Sequence, residues 1–128
     1  MNFLLDTHIL LWFLENDSKL PDKIREVITN PENLIFVSAV SAWEISIKQS
    51  LGKLIAPSNL EEALRFSRFE VLSMTLAHGI KVADLPIHHK DPFDRMLIAQ
   101  ALVEGLTIIT VDEKFKLYDV PLFACDFG

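Results

Sequence analysis

Only one cysteine, Cys125, stands among the 128 residues. Neither an internal disulfide nor a cysteine-built zinc centre can form from it, and a reducing cytoplasm is the setting it fits. Positive charge is also scarce: 12 lysines and arginines against 18 aspartates and glutamates leave a formal net charge of −6. Whole-molecule electrostatics therefore do not draw the chain onto nucleic acid or an anionic membrane, and any nucleic-acid role must come from a local site. No apolar run approaches membrane-spanning length. The opening Met1-Asn2-Phe3-Leu4-Leu5-Asp6 has no basic stretch, and Asp6 and His8 interrupt its apolar segment, so no signal peptide is expected. Repeats, low-complexity tracts and linkers are missing too. So is any Gly-x-x-x-x-Gly-Lys, which removes a phosphate-cradling P-loop.

What is present is apolar. Half of the residues are hydrophobic, enough to give one domain over residues 1–128 a real core and too few residues for two. Phe3-Leu4-Leu5 reads as a buried strand and stops at Asp6-Thr7, after which Ile9, Leu10, Trp12 and Phe13 take up helical spacing. Pro21 opens a second helix, closed by Asn30-Pro31. Leu34 to Val37 is a β-rich run followed by a helix from about Ala39 to Ser50, with Gly52 as its stop. Helices are also expected over Asn59–Phe69 and Leu76–Ala83, with Val71-Leu72 a brief strand or an extended link between them. Leu106 to Val111 is the clearest strand, ending at Asp112, and Val120 to Phe123 is a candidate edge strand. Apolar strands alternating with helices predict an α/β fold: a central, mostly parallel sheet flanked by helices.

The stretch from His89 to Ala101 carries the first chemical hint. Asp91 suits an N-cap, Pro92 suits the first helical position, and Asp94 falls where a carboxylate closes a capping box. Yet at about 100° per residue Phe93, Leu97, Ile98, Ala101 and Leu102 make one apolar arc with Asp94 near its middle. A carboxylate aimed inward needs partners. Asp6 and Asp112 each end an apolar strand, and parallel strands with right-handed crossovers put those ends on one edge, where ligands bind. Glu44 lies in the helix leaving that edge, on a face shared with Val40, Ile47 and Leu51. Asp94 opens a helix that begins near the same edge. Four converging carboxylates repel one another unless protons or cations intervene, and oxygen-only ligands select Mg²⁺ or Mn²⁺ over zinc. Such a site suits phosphodiester hydrolysis.

The spacing of Leu5-Asp6-Thr7-His8, Ser41-Ala42-Trp43-Glu44-Ile45, Asp91 to Ala101 and Ile109-Thr110-Val111-Asp112 resembles the PIN-domain ribonucleases, and more narrowly the VapC-type toxins of type II toxin–antitoxin modules. The resemblance covers essentially the whole chain. It implies Asp6, Glu44, Asp94 and Asp112 as an acidic tetrad that binds Mg²⁺ or Mn²⁺ and activates water, with Thr110 and Thr7 as polar supports or contacts to metal-bound water. It further implies an endoribonuclease acting on single-stranded or loop RNA, a homodimer, and a cognate antitoxin that covers or fills the site. Asp91 is weighed first as a cap, although the narrower toxin pattern has an acid there.

Each of these residues also has a plainer reading. Lys48 stands at i+4 from Glu44 and offers an ordinary helix-surface ion pair. Asp112 also suits the start of a turn. Arg95 reads equally as a phosphate contact or as a salt-bridge partner. His88-His89 suggests zinc, but adjacent side chains diverge and a solvated loop is the commoner outcome. Trp12, Phe13 and Trp43 suit core or subunit packing better than base stacking. Two further function classes compete: a catalytically inactive RNA- or protein-binding module on the same fold, and an acid-pocket protein such as a phosphoacceptor receiver or a phosphatase. A receiver would need a lysine ending a later strand, and none does so here.

Overall fold

The short apolar runs become strands because each must bury both faces of its pleat. Phe3, Leu5, Ile35, Val37 and Ile109 point into one core, while Leu4 and Ile108 point into a second on the opposite face. The computed structural model describes residues 1–123; Cys125 lies outside them. Among the described residues, in chain order, are β1 (Asn2–Leu5), α1 (Thr7–Leu14), α2 (Asp22–Thr29), β2 (Leu34–Ser38), α3 (Ala39–Ser50), α4 (Leu60–Phe66), β3 (Glu70–Leu72), α5 (Leu76–Val82), α6 (Pro92–Glu104), β4 (Thr107–Ile109) and β5 (Leu122–Phe123). A 3-10 turn, Glu113–Leu117, connects the last two strands.

All pairings are parallel, in the order β3-β2-β1-β4-β5. The expected α/β architecture is therefore what forms, and both doubtful strands, β3 and β5, exist as the sheet's edges. The first core receives Ile9, Leu10, Ile24, Ile28 and Leu64 from α1, α2 and α4. The second receives Leu97, Ile98 and Ala101 from α6, which packs against α5 and α3. That sandwich buries α6 from Leu97 through Ala101 with no polar stripe, and Gln100 is wholly buried with the rest. Gln100 Oε1 accepts from Ser38 Oγ at 2.6 Å, and its Nε2 donates to the Ser73 carbonyl at 3.4 Å. Gly105 ends α6 at φ 70°, a left-handed conformation that disfavours any side chain.

One boundary differs from expectation in a way that matters for the site. The last long strand stops at Ile109, so Asp112 does not end it. Thr110 Oγ1 takes the backbone N–H of Asp112 at 3.0 Å, and the chain turns there. Asp112 caps the 3-10 turn by accepting from the Lys114 N–H at 2.9 Å. The turn-initiating reading of Asp112 is thus realised.

Candidate metal centre

Asp6 sits where β1 gives way to α1. Its Oδ1 accepts from the Ile9 N–H at 3.0 Å, capping the helix, and its Oδ2 accepts from Thr110 Oγ1 at 2.5 Å. The backbone N–H of Asp6 continues the sheet by donating to the Ile109 carbonyl. Asp6 is almost completely buried, and that burial is the main reason its carboxyl is pushed above the ordinary carboxylate range.

Glu44 lies in the second turn of α3 and is also buried. Thr7 Oγ1 is 2.7 Å from its Oε1 and 2.9 Å from Ser41 Oγ. Lys48 Nζ is 2.5 Å from Oε2. The ion pair weighed as a surface alternative is therefore present, but its acid is in the interior. The face differs from the expected one: Glu44 is buried with Val40, Ser41 and Ile45, whereas Leu51 is 61% exposed and Ile47 only half-buried. The helix turns its small polar side, not its long aliphatic one, toward the site, because Thr7 and Ser41 supply hydrogen bonds there.

Asp94 follows the Asp91 cap, which accepts from the N–H groups of Phe93 and Asp94 at 2.8 and 3.1 Å. The expected capping box does not close. Asp94 Oδ2 instead meets His89 Nε2 at 2.8 Å. Burial first, and then the charges of Asp91, Asp6 and Glu44, push the Asp94 carboxyl up to about 6, against the lowering effect of the His89 bond. Asp6 and Glu44 are thus near enough for their charges to be felt at Asp94.

His89 corrects the solvated-loop reading of the histidine pair. His88 is exposed, but His89 is buried; the backbone N–H of His89 donates to Tyr118 Oη at 3.0 Å and its ring packs edge-on to Phe115. Its position two residues before the Asp91 cap was the available signal, since a loop that tightly tied to a helix start cannot carry its last side chain far from the first turn. His89, Asp94 and Asp112 each offer an atom, and the three atoms lie within 4.8 Å of one another. Of the expected tetrad, then, Asp94 and Asp112 come together with a histidine that was not expected. Asp6 and Glu44 do not join that group; their oxygens are engaged elsewhere, and they act on Asp94 through their charges.

Arg95 takes neither expected role. Its guanidinium donates to the carbonyls of Pro86, Val82 and Leu85 and to Tyr118 Oη, so it ties the end of α5 and the following loop to α6. Trp12 and Phe13 are partly buried against the first core, in line with packing. Trp43 is not a core residue: it is 58% exposed, with its ring edge-on to Phe93 at 5.1 Å.

These residues suit a hard divalent ion. Carboxylate oxygens dominate the donor set, and the His89 nitrogen is bonded to Asp94. A family model for the PIN domain matches residues 3–121. The chain belongs to the PIN-domain family. No curated protein matches it by sequence. Among solved structures, this PIN domain is similar to a chain of VapBC2 from Rickettsia felis bound to a promoter DNA fragment, with TM-score 0.71, 17% identity, and 98% of this chain and 100% of that one covered. It is similar as well to a chain of DNA-bound VapBC from Salmonella typhimurium (TM-score 0.69, 21% identity, 97% and 98% covered). A third is FitAcB from Neisseria gonorrhoeae (TM-score 0.62, 17% identity, 94% and 96% covered). At these identities the likeness is one of fold.

Proposed function

We propose that this PIN domain is a metal-dependent endoribonuclease, the toxin of a type II toxin–antitoxin module. The observation that carries the reading is the meeting of Asp94, Asp112 and His89 beside Asp6 and Glu44 at the C-terminal edge of the parallel sheet. Asp94 and Asp112, with Asp6, would hold the ion, and Glu44 completes the acidic set of the site. When bound, Mg²⁺ or Mn²⁺ supplies neutralising charge for the scissile phosphate and acidifies water. Thr110 fixes the rotamer of Asp6, Thr7 that of Glu44, and His89 that of Asp94, so the acids are aimed before substrate arrives. Hydrolysis adds water across one P–O bond. The acidic chain can meet a polyanion because the ion offsets local negative charge. Single-stranded or loop RNA is the proposed substrate, a cognate antitoxin and a second copy of the chain the proposed partners, and the cytoplasm the proposed location. The similar chains come from VapBC and FitAB-type complexes, which supports an antitoxin partner. Among the described residues no helix is long and apolar enough to cross a membrane.

The purified protein, given RNA with Mg²⁺ or Mn²⁺, is expected to cut it in an EDTA-sensitive way, and Asp6→Asn and Asp94→Asn should abolish the cut. One observation favours a second reading, an inactive RNA- or protein-binding module: Lys48 and His89 already engage Glu44 and Asp94. Retained RNA binding without metal-dependent cleavage would select it.

A further inference from the structure

Glu44 and Asp112 occupy unlike surroundings, although both belong to the proposed metal site. Each Glu44 oxygen carries a donor, Thr7 on Oε1 and Lys48 on Oε2. Asp112 accepts from the Lys114 N–H through Oδ1 and faces Asp94 and His89. Both Glu44 oxygens thus carry a donor, whereas among the described residues Asp112 accepts one hydrogen bond, through Oδ1 alone.

Lys48 does more than an ordinary pair on a helix surface does. Its side chain is 34% exposed while that of Glu44 is 3% exposed, so the ammonium reaches from solvent to an interior carboxylate. Its Nζ lies 2.5 Å from Glu44 Oε2, and α3 packs against α6, the helix that Asp91 caps and whose first turn carries Asp94. One ammonium, a compact point charge with three donors, is thereby fixed on a buried carboxylate.

We propose that Lys48 is a tethered counter-cation that occupies the Glu44 corner, so that the centre takes a single divalent ion, on the side of Asp94 and Asp112, and not two. The proposal rests on the metal-dependent reading above. A second divalent ion at Glu44 would have to expel Lys48 into water and then sit close to its charge. The partial exposure of Lys48 allows the first step, and the tether opposes it by keeping the ammonium close at hand.

Mn²⁺ titration of the full chain, followed by the EPR signal of free Mn²⁺, tests this without any turnover. The wild type should bind one equivalent. Lys48→Met should either take a second equivalent or bind the first on the order of tenfold more tightly, while Lys48→Arg, which keeps the charge, should stay at one equivalent and near wild-type affinity. Lys48→Gln, which offers Glu44 an uncharged amide donor, replaces the Met variant if circular dichroism shows that variant unfolded. Two equivalents in the wild type, or unchanged stoichiometry and affinity in the folded Met or Gln variant, would overturn the role of Lys48 and leave the metal reading standing. No Mn²⁺ binding by the wild type would overturn both.

Discussion

Replacing Asp94 by asparagine should make the metal-free protein more stable near neutral pH, an unusual result for a half-buried residue with a good hydrogen bond. Burial, and then the charges of Asp91, Asp6 and Glu44, carry its carboxyl from the ordinary 3.8 to about 6, with the His89 bond pulling the other way. An acid raised on folding holds its proton more tightly in the folded state. The stability it contributes is therefore complete below pH 3.8 and is lost as the pH rises through about 6. At roughly 1.4 kcal/mol per unit the loss is about 3 kcal/mol at most. The side chain keeps 17% exposure and shares its protons with nearby acids, so a measured gain of about 1–3 kcal/mol is expected. Asparagine keeps an oxygen to accept from His89 Nε2, so the substitution removes charge more than geometry. The assay is urea unfolding of both proteins in EDTA at about pH 7.5 and about pH 4. Asp94→Asn should be the more stable protein at the higher pH, with most of that advantage gone at the lower. Adding Mn²⁺ at the higher pH should reverse the order, because binding to the folded state stabilises only the protein that keeps the site. A variant that is weaker than the wild type at the higher pH, or a gap that is the same at both pH values, would refute the electrostatic argument.

Further tests separate the parts of the site. Thr7→Val is nearly isosteric and removes the bond to a buried Glu44 oxygen, so it should lower the unfolding free energy by about 1–3 kcal/mol in urea. Arg95→Ala removes donors to three carbonyls and to Tyr118 Oη, and should cost about 1–3 kcal/mol of stability while leaving Mn²⁺ affinity unchanged by the same EPR titration. A loss of RNA binding in Arg95→Ala at full stability would restore the phosphate-contact role.

Much of the fold is legible in the chain because its signals are local and repeated. Phe3-Leu4-Leu5 and Leu34 to Val37 are apolar without alternation, as strands covered on both faces must be, and helical spacing separates them. Once the sheet is parallel, Asp6 is bound to lie at its C-terminal edge, and the Asp91-Pro92 start puts Asp94 there too. What was not legible depends on contacts between distant elements. Asp112 lies beyond the end of β4 because Thr110 captures its N–H and turns the chain, a hydrogen bond that periodicity does not reveal. The buried face of α3 is set by Thr7, 37 residues before Glu44. Arg95 finds carbonyls at the end of α5, and His89 is turned inward by Tyr118, which comes from the far side of β4. In each case the partner was in the sequence, but only the packed helices bring it within reach.

Metal-dependent catalysis at this site is tested most directly by one measurement: cleavage of RNA by the purified wild type in Mn²⁺, with the EDTA-treated protein and Asp94→Asn run beside it. It predicts fragments in the first reaction and intact RNA in the other two, with Asp94→Asn folded by circular dichroism. Equal cleavage in all three reactions, or intact RNA in all three with the wild type folded and Mn²⁺ bound, would contradict it.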